Sequence, residues 1–380
     1  MQELYKQDII DLLYGCAVLG TGGGGNLQEG IAMMQEDFDA GRKLKLISLS
    51  ELPEEGCIAS PYGCGAPSAS SAEVAAFADI PKYPGSPAIL AFRGLEDFLG
   101  QKICAVSSTE LGGLNTAEAL HIACMLDLPL ADGDPAGRSV PELIHSTFYL
   151  KGKSIAPMAV ATQFADVIIL KDVVDDFRAE ALVRSMACVS GNEVSVCDHP
   201  MTGKEYRETV IPGAISYALE IGRLLRTSKE NIALKESGIS KANGPGGAAV
   251  AETIAGKMNG KFLFSGKVAK LVWECRDGFD YGTILLSGTG AYEGERYRIE
   301  FKNENIAAYR NEKVEVTVPD LICMLDAEGN PMTNPDFSEG DAIHVFALPA
   351  PEIWTTEAGL AIFGPRYFGI DTDYIPFGKR

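Results

Sequence analysis

The sequence predicts an α/β N-terminal domain, with a parallel or mixed sheet covered by helices, followed by a smaller β-rich C-terminal domain built as a sandwich or a barrel. In the first half of the chain, short apolar β-prone runs alternate with helix-like segments, as in sheets with parallel pairing. From Gly260 onward, β-prone runs follow one another with turn signals such as Glu328-Gly329-Asn330 between them, which favours an all-β unit. A chain of 380 residues is long enough for two cores.

The N-terminal domain is assigned to residues 1–169, and apolar residues at helical or strand spacing define its elements. The predicted helices are Ile9–Leu19, Leu27–Phe38, Ser71–Asp79, Pro87–Leu99 and Leu114–Leu126. The predicted strands are Lys43–Leu49, Gly56–Ser60, Gln101–Ser107 and Leu128–Ala131, with two more in Lys151–Asp172. Ligands of such sheets bind beyond the carboxyl ends of the strands. The candidate site loops are therefore Pro61–Ser71, Ser108–Asn115, Ala131–Glu142 and Asp172–Asp176.

The C-terminal domain is assigned to residues 170–380, helical at 175–258 and β-rich at 260–370. The predicted helices are Ala179–Val189 and Gly213–Thr227, and a looser stretch containing Asn243-Gly-Pro-Gly-Gly breaks the pattern after them. The predicted strands are Glu193–His199, Phe262–Val272, Tyr281–Ser287, Tyr297–Lys302, Lys313–Pro319, Leu321–Leu325 and Ala342–Leu348.

Composition excludes several classes of function. The formal net charge is −19, so the protein repels phosphate backbones and anionic lipid surfaces, and we expect neither nucleic-acid nor membrane binding. No run approaches the roughly 20 apolar residues of a membrane span, and the polar segment Met1–Ile10 does not resemble a signal peptide. Nine cysteines without a paired framework indicate reduced thiols in a cytoplasmic protein. A homo-oligomer is expected from the base rate for soluble enzymes.

A glycine-rich loop, Thr21-Gly22-Gly23-Gly24-Gly25-Asn26, lies between the first two predicted helices. Glycines that open a helix can direct backbone N–H groups and the positive end of the helix dipole at a ligand. The loop is thus a candidate anion or oxyanion site for a small-molecule substrate; the alternative is a plain interhelical turn. No Lys-Ser/Thr follows it, and a helix rather than a strand precedes it, so the sequence predicts neither ATP nor NAD as cofactor.

An aspartate loop follows the predicted strand Leu128–Ala131. It contains Asp132, Asp134, Arg138 and Glu142. Two nearby carboxylates can bind a cation, or one of them can act as a base, and Arg138 can hold a substrate carboxylate. The alternative is a turn in which Arg138 pairs with an aspartate for structural reasons.

A third loop, Thr109-Glu110-Leu-Gly112-Gly113-Leu-Asn115-Thr116, precedes another predicted helix. Glu110, Gly113 and Asn115 are expected to line the same cleft, or else Asn115 or Thr116 caps the helix.

One cysteine and two histidines are weaker candidates. Cys64, between glycines, can act as a nucleophile or a soft ligand. His145 can face the aspartate loop, and His199 alternates with Cys197 in a spacing that allows metal binding. His121 and His344 are interpreted as structural.

In their order along the chain, these motifs resemble the S-methyl-thiohydantoin desulfurase domain family, which often occurs beside hydantoinase and oxoprolinase-type proteins. The resemblance extends from about Asp8 to Pro376. The segments that carry it are Thr21–Gly25, Gly112–Asn115, Asp132–Glu142, Phe301–Asn305, Val318–Ile322 and Gly364–Gly369. The sequence departs from the family pattern at Asn26, where aspartate is more frequent, at Pro135-Ala136 in place of Gly-Met, and at Val140 in place of Phe.

The resemblance implies hydrolysis of a thiohydantoin-like ring, which releases a thiol and leaves a hydantoin. It also implies a divalent metal, zinc before others, with ligands unassigned, and a hydantoinase-type partner. In this scheme Asp132, Asp134 and Glu110 are catalytic candidates, and the glycine loop holds developing negative charge. Two alternatives stay open: hydantoinase-type opening of a cyclic amide, and a non-catalytic binding subunit of a hydantoinase-type complex.

Overall fold

A computed structural model of the chain describes residues 1–65, 77, 79–236, 246–276 and 278–379, with side chains described only to residue 232 in the segment that ends at 236. It confirms an α/β layer followed by a β-rich domain. The predicted helix Ser71–Asp79 lies almost wholly outside the described residues, as do the first three residues of the predicted break at Asn243.

The helices of the described residues agree closely with the predicted ones at the start of the chain. They are α1 (Lys6–Leu19), α2 (Leu27–Asp39), α3 (Pro87–Leu99), α4 (Asn115–Leu126), α5 (Thr147–Leu150), α6 (Asp176–Cys188), α7 (Gly203–Thr209), α8 (Ala214–Glu236), α9 (Gly246–Lys257) and α10 (Glu357–Phe363). Short 3-10 turns lie at Leu49–Glu51, Gly290–Tyr292, Glu352–Thr355 and Phe377–Lys379.

The strands fall into three sheets. They are β1 (Gln2–Leu4), β2 (Leu44–Ile47), β3 (Cys57–Gly65), β4 (Ile103–Val106), β5 (Pro129–Ala131), β6 (Gly133–Asp134), β7 (Met158–Thr162), β8 (Val167–Leu170), β9 (Glu193–Thr202), β10 (Ile211–Pro212), β11 (Lys261–Arg276), β12 (Phe279–Gly288), β13 (Arg296–Lys302), β14 (Glu304–Arg310), β15 (Lys313–Thr317), β16 (Leu321–Leu325) and β17 (Ala342–Leu348).

The first sheet is mixed, with strand order β1-β2-β5-β4-β3-β9-β7-β8. Its centre, β2-β5-β4-β3, is parallel, and the remaining pairs are antiparallel. The carboxyl ends of β3, β4 and β5 therefore lie at one edge, where their loops converge. Strand β9 belongs to this sheet although it follows the predicted boundary at residue 170; the boundary itself stays a prediction.

Helix α1 reaches the glycine loop and is held in place by a very close crossing with α8. A Cβ on Gly15 would lie 1.8 Å from the Ala218 carbonyl oxygen, and one on Gly222 would lie 1.7 Å from the Asp11 carbonyl oxygen. Only glycine allows the two backbones to approach this closely. Leu12, Leu13 and neighbouring apolar side chains fill the core beneath the crossing.

The second large sheet is antiparallel throughout and curls into a half-barrel, with strand order β15-β14-β13-β12-β11-β17-β16. Its inner face packs Phe264, Ile284, Ile299 and Val345 into a core of its own. Strand β14 was not predicted, because six of its seven residues are buried and it lacks the alternation of a strand with one face in water. It begins at Glu304, which the site described below uses. Among the described residues, no helix is long and apolar enough to cross a bilayer.

Candidate active site

A cleft of about 600 Å³ separates the first sheet from the half-barrel. The glycine loop, the end of β3 and the loop before α4 form one wall. Residues of the half-barrel close the other wall: Asp280, Asn303, Glu304, Thr333, Asn334, Pro335 and Asp336. Of the residues predicted for the site, the cleft is lined by Gly22, Gly23, Gly24, Gly25, Asn26, Glu110 and Asn115. All three predicted loops thus meet at one surface, but the aspartate loop reaches it through Ser139, Val140 and Pro141 and not through the four residues singled out from the sequence.

The glycine loop is tied to the half-barrel by its carbonyl groups and by close packing. Asn305 N–H donates to Thr21 O at 2.8 Å, and Asn334 N–H donates to Gly22 O at 2.8 Å. A Cβ on Gly23 would lie 1.8 Å from Glu304 Oε1. The loop therefore requires glycine first of all because another chain segment occupies the place of each side chain. A structural turn and a ligand-binding loop are thus compatible interpretations of the motif.

The N–H groups of this loop are less engaged than its carbonyls. Gly23 N–H donates within the turn to Gly20 O at 2.8 Å. The N–H groups of Gly22, Gly24 and Gly25 donate to no atom of the described residues, and all three glycines have positive φ. Because these residues line the cleft, their donors are available to a bound molecule. The side-chain oxygen of Asn26, in contrast, caps α2 by accepting from Gln28 N–H at 2.8 Å.

Glu304 is the buried carboxyl on the half-barrel side of the cleft. Its Oε1 accepts a hydrogen bond from Ser139 Oγ at 2.7 Å, and its buried Oε2 has no partner among the residues the structure describes. Burial raises the pKa of Glu304 to about 7, against the opposing effects of the Ser139 hydroxyl and the Arg138 charge. Glu304 is therefore part protonated and part ionised near neutral pH.

Glu110 lies on the other wall of the cleft, close enough to Glu304 for their charges to interact. It adopts φ +59°, an uncommon conformation for a residue other than glycine, and accepts a long hydrogen bond from Asn115 Nδ2 at 3.4 Å. Desolvation in the cleft wall raises the pKa of Glu110 well above its usual range, and the negative charge of Glu304 adds to the effect. Desolvation thus favours the protonated, neutral form of Glu110.

Arg184 on α6 supplies positive charge to the same cleft. Its guanidinium donates to Glu180 Oε1 at 3.0 and 2.8 Å and to Gly278 O at 3.0 Å. The charge of Arg184 opposes the rise in the pKa of Glu110 and of Glu304. Sequence analysis missed both Arg184 and Glu304, since a single charged residue in a helix or a β-run carries no local signal.

The structure places the two aspartates outside the cleft lining. Asp132 accepts from Ser216 N–H at 3.0 Å and from Ser216 Oγ at 2.7 Å, so it anchors the start of α8. Asp134 Oδ1 accepts from Ala136 N–H at 2.8 Å and Gly137 N–H at 2.6 Å, the turn proposed as the alternative interpretation. Burial raises the pKa of Asp134 to about 7. The prediction that Asp132 and Asp134 act as catalytic residues beside Glu110 therefore has no support in the lining of this cleft.

Arg138 does not present its donors to the cleft, which corrects the prediction that it anchors a substrate carboxylate. It is fully buried and donates to Thr21 Oγ1 at 2.8 Å, Pro319 O at 3.0 Å and Asp320 O at 3.3 Å. Burial lowers the pKa of Arg138 to about 10. The side chain therefore binds the glycine loop to the Val318–Ile322 segment of the half-barrel.

Two further predicted residues also lie away from the cleft lining. Glu142 forms an ion pair with Lys302 and accepts from Tyr367 Oη at 2.7 Å, in a separate groove of about 670 Å³. Gly113 packs against α2, because a Cβ on it would lie 2.6 Å from Leu27 Cα. Neither residue reaches a molecule in the cleft directly.

Cys64 lies at the cleft but in a strand, since β3 continues to Gly65 instead of ending at Ser60 as predicted. Burial raises the pKa of its thiol to about 12. The neutral thiol is a poor nucleophile and a poor metal ligand, so the structure does not favour either of these roles for Cys64.

The histidines are all held by the protein interior. His145 packs among Phe363, Tyr367 and Phe368, and burial lowers its pKa to about 3. His199 Nδ1 lies 2.8 Å from Asp198 Oδ1, beside Tyr62, whose hydroxyl donates to Asp198 Oδ2 at 2.7 Å. Both histidines adjoin a small internal cavity behind Glu110. As interpreted from the sequence, His121 and His344 make structural contacts, with Asp37 and Ser265 respectively.

The aspartate loop does not fit a metal ion, because protein donors engage both Asp132 oxygens and Asp134 Oδ1. In the part of the chain that the structure describes, no group of three or more His, Cys, Asp and Glu side chains is arranged to hold a metal. The proposed chemistry therefore uses no metal ion at the aspartate loop.

Comparisons with known proteins cover both halves of the chain. Residues 7–172 match the family model described as "S-Me-THD-like, N-terminal domain", and residues 174–377 match "S-Me-THD-like, C-terminal domain". The chain is also similar to the crystal structure of a protein from Chromobacterium violaceum, with 21% identity, a TM-score of 0.73, and coverage of 99% of this chain and 100% of that chain. At this identity the likeness shows a shared fold. No curated protein matches the chain.

Proposed function

This chain belongs to the S-Me-THD-like family, whose name points to thiohydantoin desulfurase activity, and from its cleft we propose a hydrolase. The proposed substrate is an S-methyl-thiohydantoin-like five-membered ring, and the products are a thiol and a hydantoin. The observation that carries the proposal is the pair Glu110 and Glu304, two carboxyls that line the same cleft from facing walls, each with a raised pKa. Carboxyls with separated pKa values can divide the roles of acid and base.

The reaction replaces a carbon–sulfur bond by a carbon–oxygen bond at the ring carbon between the two nitrogens. Glu110, in the protonated form that its burial favours, donates a proton to the double-bonded ring nitrogen. Glu304, when ionised, accepts a proton from the water that attacks the ring carbon. A tetrahedral intermediate forms that carries a hydroxyl and the methylthio group.

Collapse of this intermediate breaks the carbon–sulfur bond. The hydroxyl oxygen forms the new carbonyl and gives its proton back to the ionised Glu110, while the leaving sulfur gains a proton from Glu304, so both carboxyls return to their starting states. One water is consumed and one methanethiol is released, so atoms and charges balance. The N–H groups of Gly22, Gly24 and Gly25 can stabilise the oxygen as negative charge develops on it.

Thiol release is the measurement that tests the proposal. Wild type is incubated with a 5-alkyl S-methyl-thiohydantoin, thiol is followed with a chromogenic thiol reagent, and the ring product is identified by chromatography. We expect Glu110→Gln and Glu304→Gln each to lower kcat by roughly 100-fold or more. The matched control is Glu339→Gln, in an exposed turn, with unchanged kcat.

The two alternatives give different results in the same assay. A ring-opened product without thiol would indicate hydantoinase-type chemistry instead. Binding of the ring without any turnover would support a non-catalytic subunit of a hydantoinase-type complex. Thiol release that survives both substitutions would contradict the assignment of Glu110 and Glu304.

A further inference from the structure

A third buried carboxyl of the cleft, Glu118, has no role in the proposed reaction. It lies in the first turn of α4, is only 8% exposed and lines the cleft. Its Oε2 is fully shielded and makes no hydrogen bond among the described residues. A buried polar atom without a partner costs free energy in the empty protein, so a partner supplied by a ligand would remove that cost.

The surroundings of Glu118 open it toward the cleft. A Cβ on Gly63 would lie 3.0 Å from Glu118 Oε1, so no side chain of β3 stands between the strand backbone and the carboxyl at this position. Gly63 lines the cleft as well. A substituent entering along β3 at this point would meet the carboxylate directly.

The charged groups around Glu118 lie on β9, on α2 and in the segment that carries Lys82. Glu193 at the start of β9 and Glu29 on α2 line the same part of the cleft, and Lys82 lies on its wall. The Glu193 charge raises the pKa of Glu118, and the Glu29 charge raises that of Glu193, whereas Lys82 lowers it.

Two other titratable groups lie near Glu118. On α4 itself, His121 is bonded to Asp37. Cys64 on β3 is held as a neutral thiol by its raised pKa. Glu118, Glu193 and Glu29 place three carboxyls against one lysine at this end of the cleft, which becomes negative as the carboxyls ionise.

We propose that Glu118, with Glu193 beside it, forms a subsite for a protonated amine carried by the ring substituent of the substrate. The inference rests on the proposed function, because it names the substituent of the same ring. A charge-assisted hydrogen bond from an ammonium group satisfies a carboxylate that the protein leaves unpartnered. The subsite therefore selects rings that carry an aminoalkyl chain over rings that carry an apolar chain.

The spacing along β3 matches such a chain. Tyr62 lines the reacting end of the cleft, and Glu110 contributes to the rise in its pKa. Gly65 is paired with Glu193 across the β3–β9 ladder. Gly63, which faces Glu118, lies between these two residues of β3. The three residue steps from Tyr62 to Gly65 span about 10 Å, which is comparable to a five-membered ring with an extended aminobutyl chain.

Binding of the cation is coupled to proton release. Burial raises the pKa of Glu118 to about 8, so the empty subsite holds a neutral acid at pH 7, and an ammonium group favours its ionised form. Affinity for the amine is therefore expected to rise as pH increases from 6 to 8.5. An apolar ligand of equal length would show no such dependence.

The test compares 5-(4-aminobutyl)hydantoin with 5-pentylhydantoin by isothermal titration calorimetry on the full chain. We expect wild type to bind the aminobutyl ring at least tenfold more tightly at pH 8. Glu118→Gln, which keeps the shape of a side chain that is already neutral when empty, should reduce this preference to threefold or less. Glu193→Gln should reduce it partially, and Glu339→Gln should leave it unchanged.

Equal binding of both rings by wild type would overturn the subsite, and so would a preference that survives both Glu118→Gln and Glu193→Gln. The S-methyl-thiohydantoin forms of both rings separate this inference from the proposed function. Thiol release from both with equal kcat/KM, together with equal binding of the two hydantoins, would refute the subsite and leave the hydrolase proposal standing. A tenfold binding preference for the aminobutyl ring without thiol release from either ring would support the subsite and refute the hydrolase proposal.

Discussion

Glu304→Gln is expected to make the protein more stable at alkaline pH while it removes activity. In the folded protein this carboxyl is 2% exposed and its Oε2 has no partner among the described residues, whereas in the unfolded chain it is hydrated. Ionisation is therefore more costly in the folded state than in the unfolded state. Glutamine occupies nearly the same volume, accepts from Ser139 in the same way, and carries no titrating proton.

The size of the effect follows from the pKa of Glu304. A rise from 4.5 to about 7 corresponds to about 3 kcal/mol, since a tenfold change in an ionisation constant is worth about 1.4 kcal/mol. Between these two pH values the folded state binds more protons than the unfolded state, so the stability of wild type falls as pH rises. This loss is complete above pH 7, and Glu304→Gln does not suffer it.

Urea unfolding at pH 5 and pH 8.5, followed by fluorescence and circular dichroism, measures the effect. The free energy of unfolding of Glu304→Gln relative to wild type is expected to be about 3 kcal/mol more favourable at pH 8.5 than at pH 5. Glu339→Gln, in an exposed turn, should show no change of this kind. If the free energy of unfolding changes by the same amount between the two pH values in Glu304→Gln and in wild type, Glu304 has an ordinary pKa. It then cannot be the partly protonated base that the proposed reaction uses.

Three further predictions follow from the same structure. Gly23→Ala should lower kcat at least tenfold and destabilise the fold by about 1–3 kcal/mol, because its Cβ would lie 1.8 Å from Glu304 Oε1. The control Gly256→Ala, whose Cβ meets nothing within 4 Å, should be neutral or stabilising. Equal melting temperatures of Gly23→Ala and wild type would contradict the argument. Arg138→Lys should cost roughly 3 kcal/mol in urea unfolding, since a lysine cannot reproduce a guanidinium that bonds two separate segments through three acceptors. Unchanged stability of the folded variant would show that these bonds contribute nothing. Elemental analysis of wild type and of Asp132→Asn/Asp134→Asn is expected to give the same metal content in both, because protein donors already engage these carboxylates. Stoichiometric zinc in wild type that is lost in the double variant would place a metal at the aspartate loop.

Much of the first domain could be predicted from sequence because its signals are local. The helix Pro87–Leu99 agrees with the structure at both ends, since a proline starts it and a glycine follows it. Strand β14 was not predicted, and helix α9 lies in the stretch assigned as helical but was not identified as a separate helix. The strand is buried on both faces, and the helix begins at a Gly-Gly pair, which reads as a helix breaker.

The candidate site shows the same division. The glycine loop and Glu110 were identified from sequence because each follows or precedes a predictable element at the edge of the sheet. Arg138 and the two aspartates were misplaced, since a run of polar residues after a strand does not reveal whether they turn toward solvent or toward the protein interior. Here a distant segment, Pro319–Asp320, accepts the donors of Arg138.

The sequence by itself determined the family, the order of α/β and β-rich units, and the loop whose backbone N–H groups line the cleft. These depend on periodicity, glycine content and short motifs, which are properties of neighbouring residues. Only the tertiary structure decided which carboxyls acquire unusual acidity. Glu304, Glu118 and Glu110 acquire raised pKa values because folding removes water from them, and the buried Oε2 atoms of Glu304 and Glu118 gain no hydrogen-bond partner among the described residues in return. Desolvation depends on every segment packed around a group, and no local pattern encodes it.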